Sequence, residues 1–232
     1  MSELAERYKA ALREYIPYYY ENGFDHKPSP VITGDLPQEF QLFNWGLVPW
    51  WTKTRTEADQ IRVKTLNCIS EEAFDKPSFR DAIRERRCLI PCTGYYEWRW
   101  FQGGKVKYPY FIQVTDEPIF SLAGIWSEWT DRATGETRHT YSVLTTRANA
   151  VMEKIHNSKK RMPVILPRSI ERDWLNPALT REDVLAFCEP YDTQHMQAHT
   201  ISKMITDRSV GDKNLEQIAK PFDYPELALL DA

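Results

Sequence analysis

The 232-residue chain carries 30 Lys and Arg against 33 Asp and Glu, a formal net charge of −3. That excludes a globally basic nucleic-acid binder and leaves only local basic patches for such a partner. No run approaches eighteen apolar residues, so a membrane span is excluded and no membrane partner is expected.

The first element predicted is a helix over "ELAERYKAALREY" (3–15), where Leu4, Tyr8, Leu12 and Tyr15 fall on one stripe and Ser2 stands at the N-cap. "KPSPVI" follows as a turn and an extended piece. "EFQLFNWGLVPWW" reads as strands interrupted at Gly46 and Pro49. "KPSFRDAIRERR" predicts a short helix with Pro77 near its start. "CLIPCTGYYEWRWF" reads as one strand, turned at Gly103 and Gly104 into a second, "KYPYFIQV". "IFSLAGIWSEWT" and "HTYSVLTTRA" form another hairpin. "NAVMEKIH", "SIERDWL" and "REDVLAFCE" predict helices, "RMPVILP" a strand and "QAHTISKMI" a last strand. Short strands mixed with helices out of strict alternation argue for an α+β fold. No linker divides the chain, so one domain over residues 1–232 is expected. The basic clusters "IRERRC" and "SKKRMP" read as solvated faces.

Four cysteines (Cys68, Cys88, Cys92, Cys188) and the lack of an apolar leader predict free thiols in a reducing, cytoplasmic setting. Cys88 and Cys92 form a lone CxxxC with no second Cys or His pair at zinc-ligand spacing. "CLIPC" therefore reads as a buried strand, and neither a metal nor a cofactor is expected.

Four segments hold residues suited to chemistry. In "GYYEWRW" (94–100), strand alternation puts Tyr95, Glu97 and Arg99 on one side and Tyr96, Trp98 and Trp100 on the other. The apolar second set is expected to face the core. Glu97 then lies on the polar side, either lining a cleft or paired with a cation at the surface. His156 ends a short helix ahead of a basic turn and has the pKa range of a proton shuttle. Asn67 closes an extended segment, serving either the backbone or an oxyanion. Trp50 and Trp51 follow Pro49 in a loop, and at least one is expected at the surface, where it can stack on a base.

These segments, in this order, resemble the SRAP family (SOS response-associated peptidase-like, or abasic site processing, proteins). "WGLVPWW" is similar to its WGL-x-P-x-W segment and "LNCISEEAF" in part to its N-A-R-x-E-T. "CLIPCTGYYEW" is similar to C-x-x-P-x-x-G-[FY]-[FY]-E-W. "IHNSKKRMPVIL" looks like I-H-x-R-M-P-V-I-L with residues inserted, and "HTISKMI" like H-P-V-S. The resemblance spans about residues 30 to 205. It implies a mixed β-sheet with a flattened, barrel-like core and peripheral helices. It also implies a DNA-damage protein, nucleoid-associated and monomeric, that binds single-stranded DNA at abasic sites. There it forms a covalent adduct with the opened sugar aldehyde. Asn67, Glu97 and His156 take the family's assisting positions. Trp50, Trp51 and Arg161 are the DNA-binding candidates.

Two departures qualify the resemblance. The family's nucleophile is a cysteine at its second position, and here Ser2 stands second, read as a helix cap. The expectation is a start at an internal Met, with a first strand and its cysteine upstream; a member that lost the chemistry is the other explanation. Ile69 stands where the family has a phosphate-binding Arg, a role that Arg62, Lys64 or Arg161 can take over. The rival reading is a non-covalent single-stranded DNA binding module using Trp50, Trp51 and the basic turns.

Overall fold

The computed structural model describes residues 3–230. Eleven strands are present: β1 (Pro28–Thr33), β2 (Gln41–Trp45), β3 (Asn67–Ile69), β4 (Arg87–Cys92), β5 (Tyr95–Phe101), β6 (Val106–Val114), β7 (Phe120–Thr130), β8 (Thr137–Arg147), β9 (Arg161–Pro163), β10 (Ile165–Leu166) and β11 (Met196–Thr200). Six helices accompany them: α1 (Glu3–Tyr8), α2 (Arg55–Arg62), α3 (Arg80–Glu85), α4 (Ala150–Ile155), α5 (Arg181–Phe187) and α6 (Pro225–Leu230). The fold is α+β with a barrel-like core and peripheral helices.

Strands β7, β4, β1, β2 and β8 follow one another side by side, and β8 pairs again with β7, closing a five-stranded barrel. The joint between β2 and β8 is parallel; the other barrel pairs are antiparallel. Val31, Phe43, Cys88, Ile90, Leu122, Tyr141 and Val143 come from all five strands and pack together, which makes them the barrel filling. Closure leaves these strands without free edges. A second core lies on the outer face. There Ile32, Leu89, Ala123, Ile125 and Leu144 meet Ile83 of α3, Val184 of α5 and the fully buried Trp174. β3 and β9 extend the sheet on β8 past the barrel, and β10 does so on β7.

The small sheet, in the order β11–β6–β5, closes over the barrel. One of its faces sends Ile112, Val114 and Met196 into the barrel core beside Met152 and Ile155 of α4. Its other face carries Tyr96 and Trp98 against Ile201, Ile205 and Ile218 of the C-terminal segment. The sheet is therefore apolar on both sides.

Several expectations are corrected. The N-terminal helix ends at Tyr8 instead of running to Tyr15. Lys9 turns into the left-handed region at φ 51, and Ala11 bridges to Glu39 instead, its N–H reaching Gln38 O at 2.8 Å. Ser2 lies outside the described residues. Residues 47–51 are loop, because Gly46 at φ 105 turns the chain out of β2. "CLIPCTGYYEWRWF" is two strands in two sheets, β4 and β5, broken at Thr93 and Gly94. At Gly94 an added Cβ would lie 2.3 Å from the Phe111 ring and 2.7 Å from Ile112 O. Only glycine lets the chain cross there. "SIERDWL" forms a single 3-10 turn, Asp173–Leu175. Arg87, read as part of a solvated face, is 3% exposed. It donates to the carbonyls of Ile83, Arg84, Trp174 and Asn176, fastening α3 to the 173–176 segment.

Candidate active site

Glu97 and His156 reach each other from separate elements. β5 presents Glu97 on the face that carries Tyr95 toward the barrel. Asn149 caps α4 by accepting from Met152 N at 3.0 Å, and His156 follows as the helix's last turn ends. His156 Nδ1 lies 3.7 Å from Glu97 Oε1, with the two side chains 18% and 22% exposed. Glu97 thus sits in the crease between sheet and barrel, the cleft-lining of the two alternatives that alternation left open; alternation separates two faces but cannot tell which is buried, and here both are. Trp100, expected in the core, is 38% exposed with Lys107 Nζ 4.1 Å over its ring.

The environment shapes both groups. His156 Nδ1 is 2.8 Å from Arg161 O. A carbonyl only accepts, so Nδ1 carries the proton and Nε2 of the neutral ring is left as acceptor. Burial raises the Glu97 carboxyl above its ordinary range, opposed by His156, the Trp98 N–H and Lys159. The result is a reluctantly ionised acid beside an imidazole of fixed tautomer, a pair suited to passing protons near neutrality. Asn157, which the sequence reading missed, holds the turn in place. Its Oδ1 accepts from Trp100 N at 2.9 Å and its Nδ2 donates to Trp100 O at 2.8 Å, tying the residue after His156 to β5.

Arg161 is forked onto Glu71, with Nη–Oε distances of 2.8 and 2.7 Å, and also donates to Thr145 O. Arg161 therefore holds Glu71 at about 2, well below the usual carboxylate range. Ile69 is in register with Thr145, so the Arg161 guanidinium reaches the β3 end, two residues past Ile69. Glu71 was also missed, although it stands at the Glu of the N-A-R-x-E-T segment that "LNCISEEAF" resembles in part.

Asn67 opens β3, exposed, in register with Val143, and makes no hydrogen bond to Glu97 or His156. Trp50 and Trp51 are 57% and 37% exposed. Their indole N–H groups donate to Asp81 Oδ2 at 3.0 Å and Pro77 O at 3.3 Å, so both rings are anchored toward α3. Arg62 lies at the end of α2, near Asp59 and away from Glu97.

The family model of the SOS response associated peptidase (SRAP) matches residues 1–208. The chain belongs to the SRAP family. Among similar family members, abasic site processing protein YoqW of Bacillus subtilis (strain 168) is 36% identical over 176 residues, 75% of each chain. Abasic site processing protein YoaM of the same organism is 35% identical over 191 residues, 80% of each. Abasic site processing protein HMCES of Mus musculus is 27% identical over 230 residues, 84% of this chain and 63% of its own. A crystal structure of a Bacteroides thetaiotaomicron protein superposes with a TM-score of 0.83 at 40% identity, covering 96% of this chain and 91% of that one. The SRAP fold therefore extends beyond the motif-bearing segments to nearly the whole described chain.

Proposed function

We propose that this SRAP chain processes abasic sites in single-stranded DNA, with the Glu97–His156 pair opening the lesion's sugar. The observation that carries this reading is the pair itself, 3.7 Å apart in a half-buried crease where Glu97 is held above its ordinary range. An abasic sugar is mostly a closed hemiacetal. Opening it moves a proton from the anomeric hydroxyl to a base and another onto the ring oxygen from an acid. A carboxyl that stays protonated longer than usual is a fit donor, and His156 Nε2 a fit acceptor. The relatives' role in abasic site processing supports the same substrate. Asn67 is assigned to the aldehyde oxygen. Arg161 is assigned to a flanking phosphate, which competes with Glu71 for the guanidinium. Trp50 and Trp51 supply stacking in place of the missing base.

The family's covalent step uses an N-terminal cysteine, whose amine and thiol close a thiazolidine on the aldehyde. The test is fluorescence anisotropy with labelled single strands, abasic and intact, over a salt series, followed by denaturing electrophoresis. The expected result is tighter binding of the abasic strand, weakening as salt rises. Equal binding of both strands would favour a non-covalent single-stranded DNA module, to which the exposed Trp50 and Trp51 lend support. Binding to neither strand would refute both readings.

A further inference from the structure

A cleft of about 470 Å3 opens on the outer side of β2, lined in part by His26, Asn44, Arg62, Arg138 and Thr140. It lies far from Glu97 and His156. Thr140 and Arg147, the partner of Arg161, are seven residues apart on β8, roughly 24 Å of strand.

Among the residues lining this cleft is a weakly paired guanidinium, that of Arg62. Arg62 keeps 17% of its side chain exposed, and its nearest carboxylate oxygen, on Asp59, is 3.8 Å away. Its Nε is shut off from solvent and so out of reach of any ligand, which leaves the Nη groups, with Nη1 3.8 Å from Asp59 Oδ1, for pairing. Arg138, the second cation of the cleft, is already forked onto Glu136 at 2.9 and 3.2 Å.

His26 is held there by local structure. It takes the left-handed conformation at φ 51 and ψ 38, unusual outside glycine. Its ring Nδ1 is 2.6 Å from Trp45 O and its carbonyl accepts from Asn44 Nδ2 at 2.8 Å. Nδ1 therefore carries the proton, and Nε2 of the neutral ring is an acceptor. Gly46 brings the two groups together: an added Cβ would lie 2.7 Å from Arg62 O and 2.9 Å from His26 Nδ1. Three carboxylates also line the cleft: Asp25, and Asp59 and Glu136 at 54% and 49% exposed.

We propose that this cleft is a binding site for a small hydroxylated oxyanion, a sugar phosphate or hydroxy acid, whose anionic head pairs with Arg62. Its hydroxyl groups donate to His26 Nε2 and to the lining carboxylates. The same carboxylates repel a polyanion, which sets the site apart from any path of DNA across the protein. The volume is in the range of small-molecule sites.

The test is isothermal titration of the full chain with ribose 5-phosphate, inorganic phosphate and malate. Saturable binding of ribose 5-phosphate or malate, tighter than that of inorganic phosphate, is expected, and whichever binds tighter identifies the head group. Arg62→Gln should weaken it about tenfold or more, as for loss of a charged hydrogen bond. His26→Asn, which tolerates the left-handed backbone, should weaken it several-fold. Circular dichroism checks each fold, and if Arg62→Gln does not fold, His26→Asn carries the test. No saturable binding by any of the three probes, or unchanged binding by the folded variants, overturns the assignment. So does displacement of the probe by an unphosphorylated single-stranded oligonucleotide. Ribose 5-phosphate is itself a closed hemiacetal of the kind assigned to Glu97 and His156, so its binding counts for the cleft only where Arg62→Gln or His26→Asn weakens it, whereas malate reads the cleft apart from that site.

Discussion

Glu97→Gln removes a charge while keeping the side-chain shape. Burial raises the Glu97 carboxyl above 4.5, its ordinary value. A carboxyl raised on folding stabilises the protein fully below its unfolded value, and that contribution is lost as the pH rises through the folded value. Glutamine suffers no such loss. The variant should therefore match the parent below pH 4.5 and become the more stable of the two as the pH rises. An under-compensated buried polar group costs about 1–3 kcal/mol. His156 lies 3.7 Å away and about a fifth of the Glu97 side chain stays wet, so the lower end applies. The expected gain at pH 8 is about 1 kcal/mol, roughly a fivefold shift in the folding equilibrium. Urea unfolding at pH 4 and pH 8 measures it, with equal slopes confirming that the compactness of the end states is unchanged. A pH-independent difference would show that attraction to His156 balances desolvation, and a variant less stable at pH 8 that it outweighs it; either refutes the reasoning. The same substitution should abolish preferential processing of abasic strands, the cost in function that accompanies the gain in stability.

Glu71 titrates in the opposite sense. Its value is depressed to about 2, so its contribution is present above 4.5 and lost as the pH falls toward 2. Because 52% of the Glu71 side chain is exposed, screening limits the loss in Glu71→Gln to about 1 kcal/mol at pH 7, vanishing in acid urea titrations. Gly94→Ala should lower stability by about 2–3 kcal/mol, since the new methyl meets the Phe111 ring and a β6 carbonyl; an unchanged melting temperature would contradict the packing described. Cys68 and Cys88 are buried with thiols pushed well up, and burial pushes Cys92 and Cys188 to about 12. The folded protein at pH 7.4 should therefore show no fast reaction with a thiol-specific disulfide reagent, with all four thiols appearing in denaturant. One fast-reacting thiol in the folded state would disprove the burial.

The sequence alone determined most of the local elements and singled out candidates for chemistry. "REDVLAFCE" reads as the helix that is α5, and Gly103 and Gly104 read as the turn between β5 and β6. Glu97 and His156 stood out as candidates because an acid and an imidazole stand in motifs of fixed order, and the structure brings them within 3.7 Å. What stayed hidden depends on long-range pairing. The strand break at Gly94 follows from Phe111 and Ile112 on the neighbouring strand, and the early end of α1 from a bridge to Glu39. Neither partner is nearby in sequence. The electrostatics of Glu97 and Glu71 were hidden for the same reason: burial raises Glu97, opposed by His156 59 positions away, and Arg161, 90 positions away, lowers Glu71. Residue types and local turns are written into the chain because they depend on neighbours within a few bonds. Burial, charge pairing and the joining of two sheets into one crease depend on which distant surfaces meet, and only the closed barrel with its overlying sheet decides that.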